Sequence, residues 1–144
     1  MVLEVLAILC AGGFAGAALY VTFVEHPARL SCGTSLALRE FIPSYQRGAV
    51  MQASLAIVGL LAALLAWWRS GHGGFLLGGL LLGAPVPFTL LAILPTNHRL
   101  LAPTLDPDSA EAAALLRRWG RLHAVRTAAG LLAFAVLVVC VAET

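Results

Sequence analysis

Lysine is absent from this 144-residue chain and charge is scarce: Asp, Glu and Arg together make up 11% of it. Soluble domains carry about a quarter charged residues, so an ordinary water-exposed surface is excluded. Cysteine is sparse as well. Cys10, Cys32 and Cys140 stand alone, which excludes a disulfide framework and a CxxC redox motif; inside apolar runs, Cys10 and Cys140 behave as small hydrophobes. No HxxxH, HExxH or GxSxG occurs, so the local signatures of zinc sites and of the hydrolase nucleophile turn are missing. The nine arginines are interrupted by apolar residues and form no basic stripe with stacking aromatics. Nucleic acid is therefore not an expected partner.

What is abundant is apolar sequence: 60% hydrophobic residues and a mean hydropathy of +0.93. Residues 5–24 run without a charge for twenty positions, long enough to cross a hydrocarbon core of about 30 Å as a helix. No basic segment precedes this run, so it is expected to be a retained span and not a leader. Residues 48–68 form a second span ending in Trp67, Trp68 and Arg69, suited to the headgroup level. Residues 75–94 form a third, in which Pro85 and Pro87 remove backbone donors and predict a kink. The glycine-rich turn between the second and third makes them an antiparallel pair. Asp108 with Glu111 reads as a capping box that opens a long helix, of which residues 122–141 are the fourth span. That helix would reach about 50 Å, so its first turns should extend beyond the bilayer. The expected fold is all-α: one integral membrane four-helix bundle over residues 1–144, with the lipid bilayer as its surroundings. Gly12 and Gly16, and Gly79 and Gly83, form GxxxG pairs, compatible with packing inside one bundle or in a homo-oligomer.

Arg29, Arg39 and Arg47 lie in or beside the first connection, and Arg99, Arg117, Arg118 and Arg121 in or beside the last, against Arg69 on the other side. The positive-inside rule then predicts a multi-pass protein of the bacterial plasma membrane with both termini extracytoplasmic. On this reading Arg29, Arg39, Arg117 and Arg121 are solvated topology determinants, and His72, in the glycine-rich turn, is assigned no role.

Polar residues collect at the arginine-rich end. His26, His98 and His123 fall there, with Glu25, Tyr45, Gln52, Thr96, Asn97 and Arg126. Trp119, His123 and Arg126 follow at spacings of four and three and so share a helix face. An arginine at the centre of a span costs about 2.5–3.5 kcal/mol, less near the interface, and usually faces the bundle; Arg126 therefore needs a partner, for which Glu25 is the acidic candidate and Asn97 the neutral one. Histidines on separate elements could ligate a transition metal or serve as axial ligands to haem, His26 and His123 first. The cofactor is thus none, haem or a transition metal, and a non-enzymatic accessory protein whose arginines contact anionic headgroups is a further reading.

Residues 85–101, PVPFTLLAILPTNHRLL, together with residues 115–134, LLRRWGRLHAVRTAAGLLAF, resemble the anthrone oxygenase-like family of small four-span membrane proteins. EHPARL at residues 25–30 and YQRGAVMQASLAI at residues 45–57 fit as well. The resemblance implies an oxidoreductase that converts an anthrone, a reduced tricyclic polyphenol, to an anthraquinone. The matching polar positions are His26, Thr96, Asn97, Trp119, His123 and Arg126. An anthrone is apolar and acidic at C10, so its catalyst needs a base, a cation for the enolate oxygen and an apolar slot. The expected assignment is His123 or His26 as base, Arg126 with Asn97 at the enolate, and Trp119 against the ring, with Thr96, Tyr45 and Glu25 also in the substrate site.

Overall fold

The computed structural model describes residues 1–143. They form four helices long and apolar enough to cross a membrane: α1 (Val2–Ser31), α2 (Thr34–Ser70), α3 (Gly73–Leu100) and α4 (Ala110–Ala142). No strand is present among the described residues. Each helix packs against its chain neighbours and α1 closes the ring on α4. The two tightest connections need backbone that a side chain would oppose: Gly33 before α2 has φ 90° and Gly71 after it has φ 71°.

Within the spans the core is built from small residues, among them Ala7, Ala11, Ala56 and Ala63, with Phe14, Leu82 and Leu137 between them. Large apolar side chains such as Leu9, Leu61, Leu91 and Leu132 point outward. Such a surface would aggregate in water and is at ease in hydrocarbon. Close approach uses the glycines directly. A Cβ on Gly79 would stand 2.9 Å from that of Ala63, and one on Gly83 would stand 2.8 Å from Leu60, whereas Gly16 faces open space. The second GxxxG thus packs inside this bundle, on α2.

The first connection proves to be helical. α2 begins at Thr34, not near residue 48, and runs through Pro43. Its early turns, the start of α4 and the end of α3 bury Phe41, Ile93, Leu100, Leu116 and Trp119 in a second core at the polar end of the bundle. An apolar face at helical spacing explains the extension, because folding it as helix buries Ala37, Leu38 and Phe41 together.

The cap of α4 differs from the expected box. Asp106 Oδ1 accepts from the backbone N–H of Asp108 at 3.0 Å, which keeps Asp108 in a turn. The helix therefore starts one residue later, with Ser109 Oγ accepting from the N–H of Ala112 at 3.1 Å. Glu111 turns away to pair with Arg99.

Two π-helical turns, Val21–Glu25 in α1 and Thr89–Ile93 in α3, each lie just before a proline, Pro27 and Pro95. Proline lacks the donor that would bond four residues back, and its ring crowds that carbonyl; a wider turn relieves both. α3 is also interrupted at Ala84, ahead of Pro85 and Pro87, and beyond that point it keeps little contact with α2. The extra residue in a π turn rotates the helix downstream of it, and His26, Thr96 and Asn97 come directly after these turns and are buried.

Candidate functional site

The end of α1 delivers two buried polar groups, His26 and Arg29. Nε2 of His26 donates to the carbonyl of Leu116 on α4 at 3.1 Å. Since a carbonyl only accepts, Nδ1 of this ring carries a lone pair, and it is buried without a partner. The contact depends on Gly120, where a Cβ would stand 2.6 Å from His26 Nε2.

His123 is held by two threonines. Its Nδ1 lies 3.1 Å from Thr22 Oγ1, which lies 2.8 Å from Thr127 Oγ1, which in turn bonds the carbonyls of Ala18 and His123, each at 3.2 Å. Those carbonyls accept only. Thr127 therefore donates to them and accepts from Thr22, which accepts from His123 Nδ1–H. The chain assigns the tautomer and leaves Nε2 as the basic nitrogen.

Trp119 lies between the two imidazoles, 4.7 Å from His123 in a stacked arrangement and 5.1 Å from His26, with Phe41 edge-on at 5.0 Å. Its indole N–H is buried and unpartnered. One turn along, Arg126 donates to Oε1 of Gln52 at 2.8 Å and sits 5.7 Å from the centre of the Phe14 ring. Gln52, not Glu25 or Asn97, is the partner of this arginine. Glu25 is taken by Arg29 and accepts from Ser44 Oγ at 2.6 Å. Arg29 also pairs with Glu40, and its guanidinium lies 5.6 Å from the Phe41 ring. It is 5% exposed, so it is a structural tie between α1 and α2 and not a solvated topology determinant.

Three voids meet at these residues. A cavity of about 390 Å³ is lined by His26, His123, Trp119 and Thr22, with Arg117 and Arg121 at its side. A chamber of about 30 Å³ is bounded by Tyr45, Gln52, Trp119, His123 and Arg126. A third, of about 120 Å³, shares Tyr45, Gln52 and Arg126 with that chamber and is otherwise mostly apolar. Tyr45 stacks on Phe41 at 5.5 Å.

Of the residues singled out in the sequence, His26, Tyr45, Trp119, His123 and Arg126 come together, with Glu25 one contact away through Arg29. Thr96 and Asn97 are buried at the end of α3, their side chains without hydrogen-bond partners, and line none of these three voids. Thr22 and Thr127 carry no signal in sequence, since isolated threonines in apolar runs are common. His72 does have contacts, at the opposite end of the bundle: it caps α3 by accepting from the N–H of Gly74 and lies 3.1 Å from Cys140 Sγ. Among the described residues no group of three or more His, Cys, Asp or Glu is placed to hold a metal ion. His26 and His123 each pack on Trp119.

The chain is 30% identical over 137 residues to the anthrone oxygenase tpcL of Aspergillus fumigatus, an alignment covering 88% of this chain and 85% of that protein. No solved structure matches. Residues 41–136 match the profile of the anthrone oxygenase family, an interval that holds most of the extended α2, all of α3 and the Trp119, His123 and Arg126 face of α4. With most of its length aligned and its polar helix face inside the matched interval, the chain belongs to the anthrone oxygenase family and is an oxygenase-like enzyme of multi-pass, all-helical build.

Proposed function

We propose that this protein oxidises a hydrophobic, anthrone-like aromatic within the membrane, at the polar end of its bundle, with His123 as base and Arg126 as the cation for the enolate. The single observation that carries this reading is the small chamber on which the two converge: a histidine whose free nitrogen is set by the threonine chain, and a buried guanidinium whose hydrogen-bond partner, Gln52, is neutral. Gln52 takes the place beside Arg126 that the sequence had suggested for Asn97.

The chemistry follows from these parts. His123 Nε2 takes one proton from C10 of the anthrone, and the electron pair moves to the carbonyl oxygen, where Arg126 stabilises it. The carbanion adds dioxygen, forming a C10–O bond and, after protonation, a hydroperoxide. Loss of the second C10 proton and cleavage of the O–O bond release water and leave the quinone. One dioxygen is consumed; one oxygen atom enters the product and the other leaves in water. Trp119 stacks on the base and fixes its ring plane, and the larger cavity beside His123, open on the arginine-lined side, gives the proton its way out. With the arginine-rich end cytoplasmic, that side meets the cytosol.

Oxygen uptake by the purified protein with an anthrone substrate tests this. Uptake should match quinone formed one to one, and His123→Ala should lower the rate by about 10²–10⁴, the range for loss of a general base. Unchanged turnover in His123→Ala would remove the base assignment. A Soret band in the wild-type absorption spectrum, lost in His123→Ala, would reassign the histidine as a haem ligand.

A further inference from the structure

Arg126 is a cation enclosed by protein with no anion at its side. Gln52 is neutral, Nε has no hydrogen-bond partner, and no carboxylate stands within ion-pair distance among the described residues. At 8% exposure it has little water to compensate. A charge so placed calls for a ligand of opposite sign.

The adjoining void shows from which side that ligand comes. The cavity of about 120 Å³ between α2 and α3 is walled by Ala53, Ala56, Val86 and Leu90 and closed at its inner end by Gln52 and Arg126. Leu90 is 59% exposed on the lipid-facing surface, so the mouth opens on hydrocarbon. The gap has a cause in the chain: the interruption at Ala84, the two prolines and the π turn after them keep this half of α3 from closing on α2. Alanines on α2 keep the other wall thin. An apolar cavity of about 150 Å³ takes up a benzene ring, so this one has the scale of a single aromatic ring.

We propose that the substrate enters sideways from the bilayer through this slot, one oxygen-bearing ring between α2 and α3, with a weakly acidic oxygen, as phenolate or enolate, on Arg126 beside Gln52. This rests on the oxygenase reading above and adds the binding site, the direction of access and the selected class: polycyclic aromatics with an ionisable oxygen, over their O-methyl ethers. This is the entry position: His123 lines the adjoining chamber and not the slot, so C10 meets the base once the ring advances past Arg126. A guanidinium discriminates an oxyanion from an ether because the charge-assisted hydrogen bond is lost with the anion.

The test uses 1-hydroxyanthraquinone and 1-methoxyanthraquinone as probes, with the full chain in phosphatidylcholine nanodiscs and binding followed by visible absorption. The hydroxy probe should show its red-shifted phenolate band at a pH where it is neutral in empty nanodiscs, and the methoxy probe should bind about tenfold more weakly or worse. Arg126→Gln should abolish the band and Arg126→Lys should keep part of it. Ala53→Trp, which fills the slot without touching the charge, should weaken both probes together, and it keeps the test open if Arg126→Gln does not assemble. Equal binding of the two probes, or full binding by Ala53→Trp, would overturn the proposal. So would displacement by oleate at the probe's own concentration, which would mark the slot as a site for a lipid acid. Probe binding as expected without any anthrone oxidation would leave the slot in place and refute the oxygenase reading; oxidation unaffected by Ala53→Trp would do the reverse.

Discussion

Thr22 Oγ1 lies 3.1 Å from Nδ1 of His123. Because this hydroxyl passes its own proton on to Thr127, it can only accept from the imidazole, and the nitrogen left bare is Nε2. Thr22→Val keeps shape and removes the acceptor. Turnover should fall by about 10–100-fold, the usual cost of losing a group that orients a catalytic histidine, and the ¹⁵N spectrum of His123 should shift from the Nδ1–H form toward a mixture. Thr22→Ser should restore both. A Thr22→Val protein with unchanged tautomer and rate would show that the threonine chain only fills space.

Arg126 should trade stability for activity. Its desolvation is met by a neutral amide and an aromatic face, and replacing a buried charged group together with its partner by apolar side chains is often neutral or stabilising by about 1–4 kcal/mol. Arg126→Met combined with Gln52→Leu should therefore unfold at an equal or higher temperature in detergent while losing oxygen uptake. A marked drop in unfolding temperature would instead make the guanidinium a structural element.

Gly120 provides the space in which His26 reaches the Leu116 carbonyl. A methyl group there would stand 2.6 Å from His26 Nε2, too close to hold, so Gly120→Ala should push the imidazole aside and cost about 1–3 kcal/mol. Unfolding in a mild denaturant series measures the cost. If the His26 ring steadies the Trp119–His123 stack, turnover in Gly120→Ala should fall further than in a variant of equal stability made away from the site, such as Gly78→Ala against Leu137.

Arg29 joins Glu25, Ser44 and Glu40 across the α1–α2 junction. Its removal strands acceptors that are partly open to water, with side-chain exposures of 25% for Glu25 and 43% for Glu40. Arg29→Ala should cost about 2 kcal/mol, the scale of a hydrogen bond to a charged group, and should loosen the start of α2 first. Hydrogen exchange should show faster amide exchange over residues 34–44 than over residues 52–66; uniform protection would refute the tie.

The lipid-crossing segments were legible in the sequence because long apolar runs without charge have one stable solution in a bilayer. The helix face of Trp119, His123 and Arg126 was legible because spacings of four and three can point only one way. The extension of α2 was less so: residues 34–47 mix arginine, glutamate and proline with apolar residues, and their helix is decided by the Phe41, Leu116 and Trp119 core that they meet.

By itself, then, the sequence determined the apolar helices, the polar end of the bundle and which residues share one face of α4, since all of these depend on local hydropathy and helical period. Pairings between helices were decided only in three dimensions. Glu25 goes to Arg29 by helical period, four residues on along the same helix, but Asn97 and Gln52 both lie at the same end of the bundle as Arg126 with nothing local to separate them, and the packing of α2 on α4 gives Arg126 the neutral amide of Gln52. The π turn before Pro95 leads Asn97 into the enclosed core, and the packing of α1 on α4 brings two unremarked threonines onto His123. Such outcomes belong to the tertiary structure because they turn on fractions of a helical turn, which packing selects and periodicity does not.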